Sequence, residues 1–532
     1  MTVLHFMHKS DNKLTNIDIS NTFCGMYKSE KPEEGKMQKS RRDLLKSAVA
    51  GGLTMGVLSK ASAMPTDRPD KWDASYDVVV VGAGGAGLAA AAHAAEQGLK
   101  VLLLEKLAFV GGSSAICGGG STVACTEHQK KLGIKDSKEQ LYRDIMKVGG
   151  NLNDPKVVQT FTDHVLEVYN WFMAHGGKLN KEHLTGNVSV PRNHQINPGS
   201  VLSGLQKLAE SKGVKIMTST PAVRLAYDSR KHAIVGVYAK SEEKEMAIEA
   251  KKGVILTSGG FARNKKMLAQ YVPRMANTLA ICGMGSDGDG LKMAQAYGAD
   301  VADMPYIKAT FAFNTKPQSI SDSAYPFWLG GIVVNKAGKR FVNESIPKKD
   351  VGDYVLEQEG GIGYIVYDEP VRQESLKAAR NNGSVLQSEE RGLVFKGQTI
   401  GEAAAKAGLD PKVVEATVKA YNSDIEKYGE DRVFGRKHQA GEMGKLRPIN
   451  KPPFYVFPGT AVLLATYCGV KINEKTEVID VFGNKIPGLY AAGEVTGGFH
   501  GKTYMSGTAF IKGLVFGYVA ANTVVQASKG KA

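Results

Sequence analysis

The hydrophobic pattern is most regular between residues 76 and 105, where two apolar runs flank an alanine-rich segment. Residues 78–81 are four consecutive valines, which is typical of a strand buried on both faces. Residues 88–95 are mostly alanine and predict a helix, and the apolar run 101–104 predicts a second strand that ends before Glu105. The order strand, helix, strand predicts a βαβ unit of a parallel sheet.

The remaining apolar pattern predicts more helices and strands. Helices are predicted at 137–148, 154–175, 399–407, 411–428 and from Thr508 onward. Short strands at 214–217, 233–238 and 246–250 predict a small sheet, and residues 253–261 place another buried strand before a glycine turn. From about Met304 the chain is rich in aromatic residues, prolines and lysines. We therefore predict a leader at 1–63, a first domain in two parts at 64–304 and 466–532, and an inserted α+β cap domain at 305–465.

Three glycines follow the first strand at the spacing GxGxxG. Gly82 would make the tight turn, Gly84 would let the backbone approach a pyrophosphate, and Gly87 would let the helix pack closely on the strand. Glu105, at the end of the second strand, is placed to accept hydrogen bonds from a ribose. This glycine spacing also occurs in purely structural turns, but the strands, helix and acid around it favour a dinucleotide site.

Charge and cysteine content limit the classes of ligand and partner that we expect the chain to bind. The sequence has 532 residues and a formal net charge of +15, which favours anionic substrates or acidic partner proteins unless it is only a solvated basic surface. No stretch interleaves basic and aromatic residues, so we expect no nucleic-acid binding. The five cysteines form no CxxC or CxxCH motif, so we expect neither a c-type haem nor a metal site.

The first 63 residues have the pattern of an export signal. Arg41 and Arg42 precede a short apolar run at 48–58 and the small residues 61–63. Paired arginines in this context predict twin-arginine export of a folded protein to the periplasm, and Met37 is a candidate start. The alternative is a basic cytoplasmic tail. No later segment approaches twenty uninterrupted apolar residues, so we expect a mature protein that does not span a membrane.

Four segments in this order resemble the fumarate reductase/succinate dehydrogenase flavoprotein family. They are the glycine motif at 82–87, residues 256–261, residues 285–290 and the most specific piece, Gly-Leu-Tyr-Ala-Ala-Gly-Glu-Val-Thr-Gly-Gly at 488–498. The sequence is most similar to the soluble exported branch that contains flavocytochrome c fumarate reductase and urocanate reductase. The resemblance implies an α/β fold, with a Rossmann-type FAD-binding domain and an inserted cap domain.

The resemblance also implies where FAD would lie. Gly82, Gly84 and Gly87 would hold the pyrophosphate and Glu105 the ribose. Members with covalent flavin have a histidine in the glycine-rich stretch 111–120, where this chain has serines, so we expect non-covalent FAD. The other implied contacts are Gly112, Ser113, Ser114, Gly118 and Gly119 around the isoalloxazine, Val223 at adenine, and Asp289, Glu494, Ala509 and Phe510.

The substrate residues depart from the family pattern. The arginines and histidines that clamp the carboxylates of fumarate are replaced, which argues against fumarate or succinate as the substrate. Tyr504 and Tyr325 are candidates to stabilise charge or deliver a proton, and Lys349 or Lys348 to donate a proton. The alternative is that the tyrosines are cap-domain core and the lysines solvated surface. Tyr504 and the glycine-rich stretch also resemble 3-ketosteroid dehydrogenases of the same superfamily.

Three functions therefore stay open. The first is a periplasmic FAD enzyme of anaerobic respiration that reduces an activated C=C bond of a bulky or aromatic enoate or enone. Because no haem motif is present, its electrons would come from a separate cytochrome c or a quinol-linked partner. The second is a dehydrogenase acting on a steroid-like or cyclic ketone. The third is a non-catalytic flavin electron-transfer subunit.

Overall fold

The structure is a computed structural model that describes residues 68–181, 184–242, 244–319, 321–377, 382–440 and 444–529. The predicted export signal lies outside the described residues. The described part of the chain belongs to one compact unit. The domain boundaries at residues 304 and 465 therefore stay predictions.

An eight-stranded sheet is built around the strand Ala74–Val81, whose last four valines are buried. This strand pairs in parallel with Val101–Leu104 on one side and with Lys244–Leu256 on the other. The buried half of the strand is apolar throughout, because both of its faces are covered there. The sheet runs in the order Glu477–Ile479, Lys485–Ala491, Lys244–Leu256, Ala74–Val81, Val101–Leu104 and Lys215–Met217.

The prediction of a separate small sheet is wrong. The strand Lys244–Leu256 spans thirteen residues and includes Gly253, with a register shift in its pairing between Ala250 and Gly253. Its residues 244–249 pair with Ala233–Ser241, which in turn pairs with Ala222–Asp228, and its residues 248–256 pair with Ala74–Val81. One long strand therefore joins both groups into the same sheet.

Two helices pack closely beside the glycine motif. The helix Gly85–Glu96 starts directly after Gly84 and packs against Thr508–Lys529. Gly517 permits this approach, because a Cβ there would lie 2.3 Å from the carbonyl oxygen of Ala86. Thr508–Ala527 is long and apolar enough to cross a bilayer, but 89% of that window is buried inside the protein. The other helices of this part are Gly112–Ala115, Glu127–Lys131, Lys138–Val148, Pro155–Ala174, Pro198–Ser211, Lys265–Tyr271 and Asp289–Gln295.

A second sheet is centred on the strand Phe454–Leu463. It pairs with Ile362–Asp368, Thr310–Asn314, Phe395–Gly397 and Leu279–Ala280, and Ile332–Val334 is the outer neighbour of Ile362–Asp368. Its helices are Lys348–Leu356, Glu369–Lys377, Asn382–Glu390, Ile400–Lys406 and Pro411–Tyr428. Two smaller sheets pair Val301–Ala302 with Gly469–Val470, and Val190–Gln195 with Gly120–Thr122 and Thr185–Asn187. The predicted α/β fold class is confirmed.

Candidate functional site

A cavity of about 1060 Å³ begins where three parallel strands of the large sheet end. Gly82, Glu105 and Thr257, which follow the carboxyl ends of these strands, line it, and so do residues of the second sheet region such as Tyr325 and Lys349. In open α/β sheets the crevice beyond the carboxyl ends of the strands is the usual ligand site. The cavity therefore brings the predicted cofactor residues and the predicted catalytic residues together.

The three motif glycines have different surroundings. A Cβ on Gly87 would lie 1.9 Å from the Gly82 carbonyl oxygen, and a Cβ on Gly82 would lie 2.7 Å from the Thr257 carbonyl oxygen. A Cβ on Gly84 would meet nothing nearer than the Gly111 carbonyl oxygen at 3.9 Å. Gly82 and Gly84 line the cavity, whereas Gly87 is among the packing residues outside its lining. Gly84 thus leaves space on the ligand side, and Gly87 serves the contact between helix and turn.

Glu105 is held at the cavity by two backbone groups. Its Oε2 accepts a hydrogen bond from the amide of Ala83 at 2.8 Å, and its Oε1 accepts one from Leu107 at 2.9 Å. The residue is 8% exposed and lines the cavity. Each carboxylate oxygen has a further lone pair, so the group can still accept a ribose hydroxyl.

The glycine-rich stretch lies along the cavity wall. Ser113 Oγ accepts the amide hydrogen of Gly283 at 2.9 Å, and Ser114 Oγ accepts that of Gly85 at 3.2 Å. Gly119 has φ +68, and a Cβ there would lie 1.9 Å from the Ile196 carbonyl oxygen, so only glycine fits. The cavity-lining residues of this stretch include Gly112, Ser113, Ser114, Gly118 and Gly119.

Unpartnered hydroxyls support a bound ligand. Ser258 Oγ and Thr503 Oγ1 are buried without a hydrogen-bond partner among the described residues, and both residues line the cavity. Ala509 and Phe510, at the start of the helix Thr508–Lys529, also line it. Buried hydroxyls normally have a partner. The open space at Gly84, these hydroxyls and the cavity volume together fit an extended FAD.

Among the predicted cofactor residues, Val223 lies outside the cavity lining, whereas Asp289 and Glu494 belong to it. Val223 has a 42% exposed side chain and lies outside the cavity lining, where its neighbour Ala222 is found. Asp289 lines the cavity, and its Oδ2 accepts a hydrogen bond from Lys106 Nζ at 2.7 Å. Glu494 is partly buried, and its Oε1 accepts the amide hydrogen of Thr466 at 3.0 Å. Burial raises the pKa of the Glu494 carboxyl.

A group of three aromatic side chains lines part of the cavity. Tyr467 stacks on Tyr504 with ring centroids 4.7 Å apart, and His500 meets the Tyr467 ring edge-on at 5.1 Å. The Tyr504 hydroxyl accepts the amide hydrogen of Gly507 at 2.8 Å, which orients the ring. Tyr467 has φ +58, an unusual conformation for a bulky residue and one that is common at functional sites.

Lys349 points its ammonium at this group. Nζ lies 3.3 Å from the centre of the Tyr467 ring and 4.7 Å from that of Tyr504. The residue is 4% exposed and lines the cavity. Burial, and next the positive charge of Lys308, hold the pKa of Lys349 well below its usual range. A buried lysine of this kind is a stronger acid than a surface lysine.

Lys348 lies at a second aromatic pair. Its Nζ is 4.9 Å from the Tyr325 ring centre and 5.4 Å from that of Trp328, and the two rings stack at 4.7 Å. Tyr325 is 3% exposed and belongs to a hydrophobic core, yet it also lines the cavity. Tyr325 is therefore both a core residue and a residue of the cavity lining.

Two buried basic residues that line the cavity, Lys512 and His500, were not predicted from the sequence. Lys512 Nζ donates to the Thr496 carbonyl oxygen at 2.9 Å, and burial lowers the pKa of Lys512 to about 8. His500 is 4% exposed, and burial holds its pKa well below the usual range. Both residues line the cavity. Lys512 lies in the apolar helix that begins at Thr508. A lysine in an otherwise apolar helix is the sequence signal that could have indicated a buried site residue.

Comparison with known proteins gives one matching family model, described as FAD binding domain, over residues 77–509. An NADH:fumarate oxidoreductase of Klebsiella pneumoniae (strain 342) is 32% identical over 498 residues, which are 92% of this chain and 52% of the relative. A fumarate reductase (cytochrome) of Shewanella frigidimarina is 33% identical over 86% of this chain and 78% of the relative. A urocanate reductase of Eggerthella lenta is 32% identical over 88% of this chain and 78% of the relative.

Two solved structures are similar over most of their length. The open conformation of a flavocytochrome c3 fumarate reductase has a TM-score of 0.72 at 27% identity, covering 92% of this chain and 81% of that one. A 3-ketosteroid-delta4-(5alpha)-dehydrogenase of Rhodococcus jostii RHA1, in complex with 4-androstene-3,17-dione, has a TM-score of 0.71 at 27% identity, covering 87% of this chain and 99% of that one.

Proposed function

Because the chain belongs to the fumarate reductase/succinate dehydrogenase flavoprotein family, with an FAD binding domain at residues 77–509, we propose that it reduces an activated C=C bond. The substrate would be a bulky or aromatic enoate or enone, and not fumarate. The observation that carries this proposal is the composition of the substrate end of the cavity. Among the described residues that line the cavity there is no arginine, and Tyr467, Tyr504 and Lys349 form the substrate end instead.

A dicarboxylate is a poor match for this lining. Tight carboxylate sites use arginine, whose guanidinium makes two parallel hydrogen bonds to the two oxygens. Stacked tyrosines and the Tyr325–Trp328 pair present flat apolar surface, which favours a planar, less charged substrate. Lys348 and Lys349 are sufficient for a single carboxylate or a carbonyl oxygen.

The chain's own residues supply acid and orientation. FAD, when bound, would supply hydride to one carbon of the C=C bond. Lys349 would donate a proton to the neighbouring carbon, because its lowered pKa makes the ammonium acidic enough to give up a proton. Tyr504, oriented through Gly507, would stabilise charge on the electron-withdrawing group.

We propose that FAD is bound without a covalent link. The stretch 111–120 has Ser113 and Ser114 where covalent family members have a histidine. The thiol in this stretch, Cys117, is a poor nucleophile, because burial raises its pKa to about 11.

Location and electron donor are also part of the proposal. The chain spans 52% of the length of the Klebsiella relative and 78% of the Shewanella relative, whose name includes a cytochrome. We propose a periplasmic protein that is exported by the twin-arginine route and acts in anaerobic respiration. Its electrons would come from a separate cytochrome c or a quinol-linked partner.

A ketosteroid-type dehydrogenase is the second candidate. It is favoured by the similarity to a dehydrogenase structure that contains 4-androstene-3,17-dione. The matched part of this chain covers 99% of that dehydrogenase. Tyrosines at the end of an apolar cavity suit an enone as well as an enoate. A non-catalytic flavin electron-transfer subunit is the third hypothesis, motivated by the missing carboxylate clamps.

The test is anaerobic oxidation of reduced methyl viologen by aryl acrylates, cyclic enones and fumarate. We expect turnover with at least one bulky enoate or enone and little with fumarate. Turnover of a dye acceptor with 3-ketosteroids, and none with enoates, would select the dehydrogenase. Absence of turnover in both directions would favour the electron-transfer subunit, whereas turnover that is unchanged in a Tyr504→Phe variant would mean that Tyr504 takes no part in the reaction.

A further inference from the structure

Asp303 lies outside the cavity lining, next to a segment that carries one of the site tyrosines. It directly follows the short strand Val301–Ala302, which pairs antiparallel with Gly469–Val470. Ala302 is paired with Gly469, two residues after Tyr467. The pairing of these two strands therefore brings Asp303 close to the segment that carries Tyr467.

The Asp303 carboxylate also contacts the loop that carries His500 and Tyr504. Its Oδ2 accepts the amide hydrogen of Gly498 at 2.8 Å and that of Gly501 at 3.3 Å. His500 lies between these two glycines, so one carboxylate oxygen holds the backbone on both sides of it. Burial raises the pKa of the Asp303 carboxyl, and the hydrogen bonds from the two amides oppose that shift.

The backbone on both sides of this contact has left-handed conformations. Asp303 has φ +64 and ψ +10, a conformation that aspartate and asparagine adopt more readily than most side chains. Gly498 has φ +86 and Gly501 has φ +56. A Cβ on Gly501 would lie 2.5 Å from the carbonyl oxygen of Gly149, so glycine is required there. Because glycine leaves the chain many other conformations, the carboxylate is what selects this one.

We infer that Asp303 is a positioning residue, whose carboxylate keeps the rings of His500 and Tyr504 in place against Tyr467. The inference rests on the proposed function, in which Tyr504 stabilises charge on the electron-withdrawing group. The three rings are in mutual contact, since the His500 ring centre lies 5.1 Å from that of Tyr467 and 5.6 Å from that of Tyr504. A displacement of about 1 Å in such a group can lower a rate about 100-fold.

Two substitutions separate the carboxylate from the backbone conformation. Asp303→Gly removes the acceptor, and glycine adopts φ +64 without steric cost. Asp303→Asn keeps one acceptor oxygen on a side chain that also tolerates this conformation. Asp480→Gly is the matched control, because Asp480 Oδ1 likewise accepts two backbone amide hydrogens, from Phe482 at 2.9 Å and from Asn484 at 2.8 Å. Asp480 lies outside the cavity lining.

The kinetic test uses FAD-loaded protein and an enoate or enone that wild type reduces. In Asp303→Gly we expect kcat to fall about tenfold or more, because Tyr504 is no longer held where charge develops. KM should stay within about threefold, since the Tyr325–Trp328 pair still contacts the flat part of the substrate. Asp303→Asn should keep kcat within about threefold of wild type, and Asp480→Gly should leave kcat and KM unchanged.

Three kinetic results would overturn the inference. They are an unchanged kcat in Asp303→Gly, an Asp303→Asn variant as impaired as Asp303→Gly, and an equal loss of kcat in Asp480→Gly.

A second readout needs no substrate. His500 can be followed by NMR in FAD-loaded, oxidised protein that carries ¹³C at Cε1 of its histidines, with the signal assigned by its loss in His500→Gln. The rings of Tyr467 and Phe499 have their centres 5.1 and 4.8 Å from that of His500, so the chemical shift reports where the His500 ring lies. We expect the signal to shift in Asp303→Gly and to stay unchanged in Asp303→Asn and Asp480→Gly. The wild-type signal in Asp303→Gly would contradict the positioning of the loop.

The two readouts keep the two proposals apart. If wild type reduces no enoate or enone but the His500 signal shifts in Asp303→Gly alone, the proposed function fails. Asp303 then still positions the loop, and its part in the reaction is withdrawn. If wild type reduces an enoate or enone and Asp303→Gly has the same kcat, the proposed function stands and the inference about Asp303 is wrong.

Discussion

At the scale of single residues, Gly84 and Gly87 separate cofactor binding from folding. A Cβ at Gly84 has 3.9 Å of clearance, so Gly84→Ala should fold with a free energy of unfolding within about 0.5 kcal/mol of wild type. Its methyl group would stand where the pyrophosphate approaches, so FAD affinity should fall about tenfold or more. Thermal unfolding of the apoprotein and quenching of FAD fluorescence on titration measure the two effects.

Gly87→Ala is the matched comparison. Its Cβ would lie 1.9 Å from a backbone oxygen of the turn, so the helix must shift and we expect a loss of about 2–4 kcal/mol in the free energy of unfolding. The reverse result, a stable Gly87→Ala and an unstable Gly84→Ala, would contradict the assignment of the two glycines.

The buried Lys512 makes the free energy of unfolding of the protein depend on pH. Its pKa is about 8 in the folded protein and about 10.4 in an unfolded chain, so between these values the unfolded chain binds more protons. The contribution of Lys512 to the free energy of unfolding therefore rises with pH across this window, by about 2–3 kcal/mol in total. Urea unfolding should show this effect between pH 7.5 and 10. The free energy of unfolding of wild type, taken relative to that of Lys512→Met, should increase by this amount. A constant difference would mean that the lysine is not desolvated.

At the scale of elements, one arginine fixes the turn that carries the second aromatic pair. Arg436 is fully buried and donates to the carbonyl oxygens of Phe327 and Gly331 at 2.8 and 2.9 Å, and it also approaches Glu344 at 3.4 Å. The turn Pro326–Leu329 presents Trp328 to the cavity. Arg436→Gln should lower the free energy of unfolding by about 3–5 kcal/mol, because buried acceptors lose a charged donor.

Arg447 is the control for this prediction. It donates to the Leu329 carbonyl oxygen at 3.3 Å in the same turn and pairs with Glu374 at 2.7 Å, but its side chain is 28% exposed. Arg447→Gln should lower the free energy of unfolding, measured by chemical denaturation, by only about 0–1 kcal/mol. Similar losses for the two variants would contradict the special role of the buried arginine.

Helices and strands could be predicted where the apolar pattern was continuous. The strand Ala74–Val81, the helix Pro411–Tyr428 and the start of Thr508–Lys529 were all predicted from it. Sheet membership could not be predicted for residues 215–256, because pairing of a hairpin with one long strand depends on contacts between distant segments. Separate strands were predicted at 246–250 and within 253–261, yet the single strand Lys244–Leu256 includes Gly253.

At the scale of the whole molecule, the sequence motifs located the cofactor side of the site better than the substrate side. The predicted FAD residues Gly82, Glu105 and Glu494 follow strand ends and line the cavity, and the family and the fold class are confirmed. The group of Tyr467, His500, Lys349 and Lys512 comes from three separate segments. No local pattern encodes their proximity, nor the positive φ of Tyr467.

Net charge gives a prediction for the complete molecule. A formal charge of +15 should speed the approach of anionic electron donors and slow that of cationic ones. We compare reduced anthraquinone disulfonate with the methyl viologen radical as donors in stopped-flow reduction of the FAD-loaded protein. Between about 10 mM and about 500 mM salt, where the screening length shortens several-fold, the rate with the anion should fall about tenfold and the rate with the cation should rise or stay constant. The same salt response for both donors would mean that the positive charge lies away from the entry to the flavin, and an acidic partner protein would then have no electrostatic advantage there.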